Sequence, residues 1–215
     1  MKVLVTGGAG FIGSNLVDHL VELNYDVIVI DNLSAGKKEN INPSADFIND
    51  DIKNHKISKY FKSVDIVFHM AALARVQPSI DDPLYYDSVN VNGTVNVLKC
   101  CVDNKVRRLV YSASSSAYGD AAKMPINELD SIDPISPYAV QKYVGEVYCK
   151  MFHKVYNLET VSLRYFNVFG ERQSIEGAYA LVIGVFINQT LNGKPMTIRG
   201  NGEQKRDFTY VGDVV

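Results

Sequence analysis

Through residue 165 or so, apolar runs of strand length alternate with longer stretches whose apolar positions recur at helical spacing. The short runs at 2–6, 26–30, 46–48, 65–69, 107–111 and 160–163 read as strands, and 10–23, 83–104 and 137–156 as helices. Runs such as "VLV" and "VIVI" are apolar at every position, as in strands covered on both faces. The alternation therefore predicts an α/β fold, a doubly wound parallel sheet with helices on both sides. After "RYFNVFG" the rhythm stops: "AYALVIGVFINQTLNG" reads as one amphipathic helix, and "PMTIRGNGEQKRDFTYV" as a short strand, a turn and a second strand. The expected division is a first domain over 1–165 and part of a smaller substrate-binding region over 166–215. The ending "YVGDVV" looks like a helix start with no helix after it, so a truncated chain is expected.

Composition narrows the function without choosing it. With 47% hydrophobic and 21% charged residues in 215, the chain has the apolar mass for a core and is not a disordered polymer. A net charge of -2 supplies no basic field for nucleic acid or an anionic membrane, which leaves a small molecule as the expected partner. No run approaches the ~20 apolar residues that span a bilayer, and the opening apolar run is too short for a signal peptide, so a cytoplasmic protein is expected. Cys100 and Cys101 are adjacent and Cys149 stands alone. That spacing suits neither a disulfide framework nor a metal site; they read as packing residues, and no metal is expected.

The first strand runs into "TGGAGFIGS", where Gly7, Gly10 and Gly13 are spaced by threes. Between a strand and a helix, such glycines permit a tight turn, let backbone approach a pyrophosphate, and aim a helix N-terminus at the anion. Asp31 ends the second strand, about twenty positions on, where a carboxylate accepts hydrogen bonds from ribose hydroxyls. It would repel a ribose phosphate, which favours NAD over NADP, although Lys37 and Lys38 lie close by. The sheet is thus expected to be of Rossmann type.

In "ISPYAVQKYVGE", Ser136 is a natural N-cap and Pro137 suits the first helical position. Tyr138 then falls in the first turn with Lys142 one turn on, on the same face. A nearby ammonium and the positive end of a helix both favour phenolate, so Tyr138 is expected to be a proton carrier with a lowered pKa. Ser114 lies just past the carboxyl end of a strand, where open α/β sheets bind ligands.

The glycine turn, the strand-end Asp, Ser114 and the Tyr-x-x-x-Lys pair, in this order, resemble the extended short-chain dehydrogenase/reductase family. Within it, "DNLSAGKKENI", "HMAALARVQPSIDDPLYYDSVNVNGTVNVL", "SPYAVQK", "LRYFNVFG" and "GNGEQKRDFTYVGDV" look like the NAD-dependent UDP-sugar 4-epimerases. The resemblance implies that Phe11 and Ile12 contact NAD from the glycine loop. It implies Asp31, Asn32, Ser34 and Gly36 around the adenosine ribose, and Asp51 with Ile52 at the adenine. Ala71, Ala72 and Ala74 would line the cofactor, with Asn90 nearby and Phe166 at the nicotinamide. Tyr138 and Lys142 would be catalytic, also touching NAD, and Ser114 would assist at the sugar. Asn167 and Arg206 would hold the UDP diphosphate. Gly184 stands where the family often has Pro, which places the loop near the uracil in doubt. Relatives often pair into homodimers through a four-helix bundle built from helices such as 83–104 and 137–156.

The serine run of "YSASSSAYG" bears on the reaction. Members of this superfamily share oxidation at the sugar C4, and the 4,6-dehydratases then need extra acid/base groups, an Asp-Glu pair just after the catalytic Ser or Thr. Related decarboxylases carry a Glu at the second position. Here those positions are Ser115 and Ser116. Inversion needs no such carboxylate: the 4-keto sugar turns over and takes the hydride back on its other face. The expectation is a UDP-hexose 4-epimerase; the alternatives are a nucleotide-sugar dehydratase or decarboxylase, or an inactive NAD-binding fragment. His69 reads as the end of a core strand, Tyr85 and Tyr86 as packing aromatics, Glu146 as a solvated helix partner, and Arg75 equally as a loop cation or a substrate contact.

Overall fold

The computed structural model describes residues 1–120, 123–174, 182–198 and 200–215. Six parallel strands form one sheet: β1 (Lys2–Thr6), β2 (Asp26–Asp31), β3 (Asp46–Asn49), β4 (Ile66–His69), β5 (Arg108–Ser114) and β6 (Glu159–Tyr165). Their order is β3-β2-β1-β4-β5-β6, so the crossover changes direction between β1 and β4. Ligands of doubly wound sheets bind at that switch, beyond the carboxyl ends of the strands. Register brings those ends level, with Thr6 beside both Ile30 and His69.

Alternate residues of each strand feed separate cores. On one face α1 (Phe11–Glu22) lays Leu16, Val17 and Leu20 over Val3, Val5, Val27 and Val29. On the other, Leu4, Ile30, Val67 and Leu109 meet α4 (Thr94–Asp103), α5 (Pro137–Tyr156) and a 3₁₀ segment, His55–Phe61. Ile57 and Phe61 of that segment are fully buried. At about 1.5–3 kcal/mol for each large apolar side chain, this two-sided burial is the main source of stability. All three cysteines are free and buried.

The helix expected over 83–104 is interrupted. It follows α2 (Val76–Asp81) and is built as α3 (Pro83–Asp87), a π-helical stretch, Ser88–Gly93, and then α4. The widened turn buries Asn90, and the missing Cβ of Gly93 admits Ile52, whose Cδ1 would lie 2.6 Å from one.

Beyond Tyr165 come β7 (Val168–Phe169), α6 (Val182–Leu191), β8 (Thr209–Tyr210) and the single turn α7 (Val211–Val214); β7 and β8 pair in parallel as a separate small sheet. The expected helix starts before Val182, on residues outside those described. The strand expected near 195–198 is not formed: Thr197 is tied instead to α6 by two bonds with the Gln189 amide, at 2.9 and 3.0 Å. Among the described residues no helix is long and apolar enough to cross a membrane, and no cluster of His, Cys, Asp and Glu could hold a metal ion.

Candidate active site

The turn after β1 is shaped by side chains that are missing. Gly7 has φ +73°, donates to Ile30 O at 2.8 Å, and would bring a Cβ to 2.6 Å from Ala71 N. A Cβ on Gly13 would lie 2.2 Å from Gly7 O. Gly10 starts α1 with no side-chain cap. The amides of Phe11, Ile12 and Gly13 in its first turn thus face outward, as the first amides of a helix do, toward any anion placed there.

Asp31 is 8% exposed and clamps this turn: its Oδ2 accepts from Ala9 N at 3.0 Å and its Oδ1 from Leu33 N at 2.8 Å. Each oxygen keeps a free lone pair, the acceptors that a ribose diol needs. Asn32 accepts from Ser34 N and donates to Asp51 Oδ2, while Gly36 packs against Ala9, so these groups form one rim. Ile52 is buried beneath Gly93 and offers the rim only its backbone. Open helix amides, a turn with no room for Cβ atoms and a carboxylate with free lone pairs fit the diphosphate and adenosine ribose of NAD.

Ala71 and Ala72 are half-buried after β4, and Ala74 is exposed. Asn90 holds this segment from behind, accepting from Leu73 N at 2.8 Å and donating to Leu73 O at 3.1 Å and Gln141 Oε1 at 3.2 Å. Beneath it, His69 is buried between Thr6 Oγ1 at 2.7 Å and Thr94 Oγ1 at 3.0 Å. The Thr94 hydroxyl donates to Asn90 O, so it can only accept from His69 Nε2, which assigns the tautomer. Burial, helped by the positive charge of Lys142, lowers His69 to about 3 and keeps it neutral.

Ser136 caps α5 by accepting from Ala139 N, and Pro137 follows it. Tyr138 N donates to Ser79 Oγ of α2 at 3.1 Å, and the phenol lies near enough to Ser114, at the end of β5, for that hydroxyl to act on its pKa. Tyr138 lies near Ser114 and Lys142 follows it by one turn of α5, but the expected electrostatics are corrected. Burial raises the Tyr138 pKa, against the lowering effect of Ser114, and Tyr86 raises it further. Lys142 is itself lowered to about 8 by burial. Its ammonium sits 4.4 Å from the centroid of the Tyr111 ring, a cation–π contact. Loss of water outweighs the helix and ammonium effects that the spacing suggested.

Glu146 also departs from its expected solvated place. It is 3% exposed and binds Arg164 through two hydrogen bonds, at 2.9 and 2.7 Å. The Arg164 guanidinium lies 4.6 Å over the Tyr118 ring, which meets Phe166 at 6.2 Å. Arg164 and Tyr118 were not singled out from the sequence. The available signal was Glu146 itself, which falls on the buried stripe of α5 with Lys142 and Cys149. The packing reading of Tyr86 agrees with its burial and edge-on contact with Tyr85.

At the far corner, Asn167 and Arg206 line one cavity of about 150 Å³ with Phe169, Gln173, Ile183 and Phe208. Asn167, at φ +31°, donates to Asp207 O at 2.8 Å, whereas Arg206 is exposed and donates to Lys205 O. The Gln173 side-chain amide nitrogen is buried, with no hydrogen-bond partner among the described residues. Gly184 is buried within α6. A larger hollow, about 380 Å³, lies where Arg108 and Glu159 start β5 and β6, at the opposite rim from Ser114 and Tyr138.

The sequence profile of the NAD dependent epimerase/dehydratase family matches residues 3–215. The chain is 46% identical to a putative UDP-glucose 4-epimerase of Methanocaldococcus jannaschii, over 99% of this chain and 70% of that one. A UDP-N-acetylglucosamine 4-epimerase from Methanobrevibacter ruminantium, solved with UDP-N-acetylmuramic acid, superposes with a TM-score of 0.96 at 44% identity, over 99% of this chain and 70% of that one. The Thermus thermophilus UDP-glucose 4-epimerase in complex with NAD gives 0.91 at 37% identity, over 100% and 72%.

Proposed function

The chain belongs to the NAD dependent epimerase/dehydratase family, with NAD as its cofactor, and on that premise we propose that it inverts C4 of a UDP-hexose. UDP-glucose/UDP-galactose, the N-acetylhexosamines and the uronic acids are the candidate sugars. One observation carries the reading: Ser114, near Tyr138 of α5, ends β5 and is followed by a turn, Ser115–Tyr118, that contains no carboxylate. When bound, NAD supplies reversible acceptance of a hydride from C4. Tyr138 takes and returns the proton of the 4-hydroxyl, and Ser114 donates a hydrogen bond to the same oxygen. Lys142 binds the nicotinamide ribose and faces Tyr138 from one turn away.

Asp31, Asn32, Ser34 and Gly36 hold the adenosine ribose, with Asp51 and the Ile52 backbone at the adenine. Gly7, Gly10, Phe11, Ile12 and Gly13 receive the cofactor diphosphate, while Ala71, Ala72 and Ala74 line the cofactor, braced by Asn90. Phe166 closes the nicotinamide side. Asn167 and Arg206 bind the diphosphate of the sugar nucleotide, a role for which the guanidinium fork is suited.

Elimination or decarboxylation asks for a further acid/base carboxylate at the sugar. Ser115 and Ser116 replace it in the turn, and the buried carboxylate of α5, Glu146, is held by Arg164. The names of the relatives favour epimerisation as well.

The test incubates the full-length protein, loaded with NAD, with a panel of UDP-hexoses in deuterated water. The expected result is clean C4 inversion with no deuterium at C5. Exchange at C5, loss of water, or CO2 from UDP-glucuronate would replace the epimerase reading with a lyase. Tyr138→Phe is expected to keep NAD and lose at least ~10²-fold in kcat; unchanged turnover would remove Tyr138 from the mechanism.

A further inference from the structure

The middle of the serine run shows an asymmetry that the absence of a carboxylate does not explain. The Ser115 side chain makes no hydrogen bond among the described residues, whereas Ser116 aims two donors at one atom. Its backbone N–H lies 3.2 Å and its hydroxyl 2.8 Å from Ser114 Oγ. A serine hydroxyl has one proton and two lone pairs. When both lone pairs accept from Ser116, the Ser114 proton is left for the remaining neighbour, the Tyr138 oxygen or the sugar oxygen that takes its place.

We propose that Ser116 is a positioning residue that fixes the Ser114 hydroxyl as a donor toward the oxygen it faces, that of Tyr138 or of the sugar. The inference rests on the assignment of Tyr138 as proton carrier. Without the Ser116 hydroxyl, Ser114 regains an acceptor site and can take the phenol proton, which favours phenol over phenolate. With it, Ser114 favours phenolate against the burial that opposes it. The other titratable neighbours of Tyr138 are Tyr86 on α3, Tyr111 on β5, and Lys142 with Glu146 on its own helix.

The test compares Ser116→Ala, Ser116→Thr and Ser116→Val with Ser115→Ala as control. The Thr and Val variants share a shape and differ in the hydroxyl. Tyrosines labelled at Cζ are titrated by NMR in the NAD-free protein, the Tyr138 signal being the one absent from Tyr138→Phe. Ser116→Ala and Ser116→Val are expected to raise the Tyr138 pKa by roughly half to one unit, corresponding to a three- to tenfold loss of phenolate at neutral pH. In the NAD-loaded protein, kcat should fall by about the same factor with KM unchanged, and the acid limb of the pH profile should move up by the same amount. Ser116→Thr should restore both readouts, and Ser115→Ala should change neither. An unmoved Tyr138 titration in Ser116→Val, or failure of Thr to restore it, would overturn the proposal. Loss of activity in Tyr138→Phe alongside such a result would leave the epimerase reading standing.

Discussion

The rim built on β1, β2 and β4 and the corner built on β7 and β8 present polar groups to a ligand by opposite means. At the rim the groups are backbone amides and a carboxylate clamped by Ala9 and Leu33, all fixed by parallel strands of four to six residues. At the corner two strands of two residues support Asn167, and Arg206 extends into solvent. A preorganised surface binds without further ordering, whereas an exposed arginine surrenders up to about 2 kcal/mol of rotamer freedom when it closes on a ligand. The rim is therefore suited to a retained cofactor and the corner to a substrate that must leave.

That contrast can be broken by substitution. Gly13→Ala attacks the rim where it has no slack, since the new Cβ meets a carbonyl oxygen. We expect at least about 3 kcal/mol of lost stability together with lost NAD binding, read by denaturant melts and cofactor titration. A normal melt would mean that the turn can yield. Glu146→Gln leaves the partly buried Arg164 without its carboxylate and should cost about 2 kcal/mol. If the midpoint does not move, water or Tyr118 is enough to hold the guanidinium.

The third expectation concerns pH. Folding lowers His69 from 6.5 to about 3, so between those values the unfolded chain binds a proton that the folded chain refuses. Stability is then complete above 6.5 and declines as pH falls toward 3, by up to about 1.4 kcal/mol per unit. His69→Gln should flatten that decline in melts taken across the window; an undiminished slope would assign it to other groups. The smallest effect on stability belongs to the corner. Arg206→Ala should shift stability by under ~0.5 kcal/mol while raising the KM for UDP-sugar about tenfold or more. A lowered melting temperature with unchanged KM would reverse the contrast.

The same contrast governs what could be read from the sequence. The rim was legible because glycine spacing and a strand-end acid record backbone constraints, and these are local. The helical spacing of Tyr138 and Lys142 was legible too, yet their ionisation was not, because desolvation depends on what covers α5. Tyr111 reaches over Lys142 only because a Cβ on Gly145 would lie 2.2 Å from its hydroxyl, a contact between distant segments. Glu146 was misread for a related reason: its partner Arg164 stands on another element. The His55–Phe61 segment has no helical or strand period to announce it, although Ile57 and Phe61 are as buried as any strand residue. Near the end of the chain, the β-like "MTI" was held by the Gln189 amide rather than by a neighbouring strand.

The order of the strands has a consequence for biosynthesis. β1 is synthesised before the other five strands of the sheet but lies in its middle, and its second partner, β4, begins at Ile66. The bonds that close the glycine turn on that side come from Met70, which donates to Thr6 O, and from the backbone of Ala71 packed on Gly7. A nascent chain shorter than this has the glycine motif in full and no cradle. The residues most visible in the sequence thus acquire their geometry only when a segment translated much later returns to them.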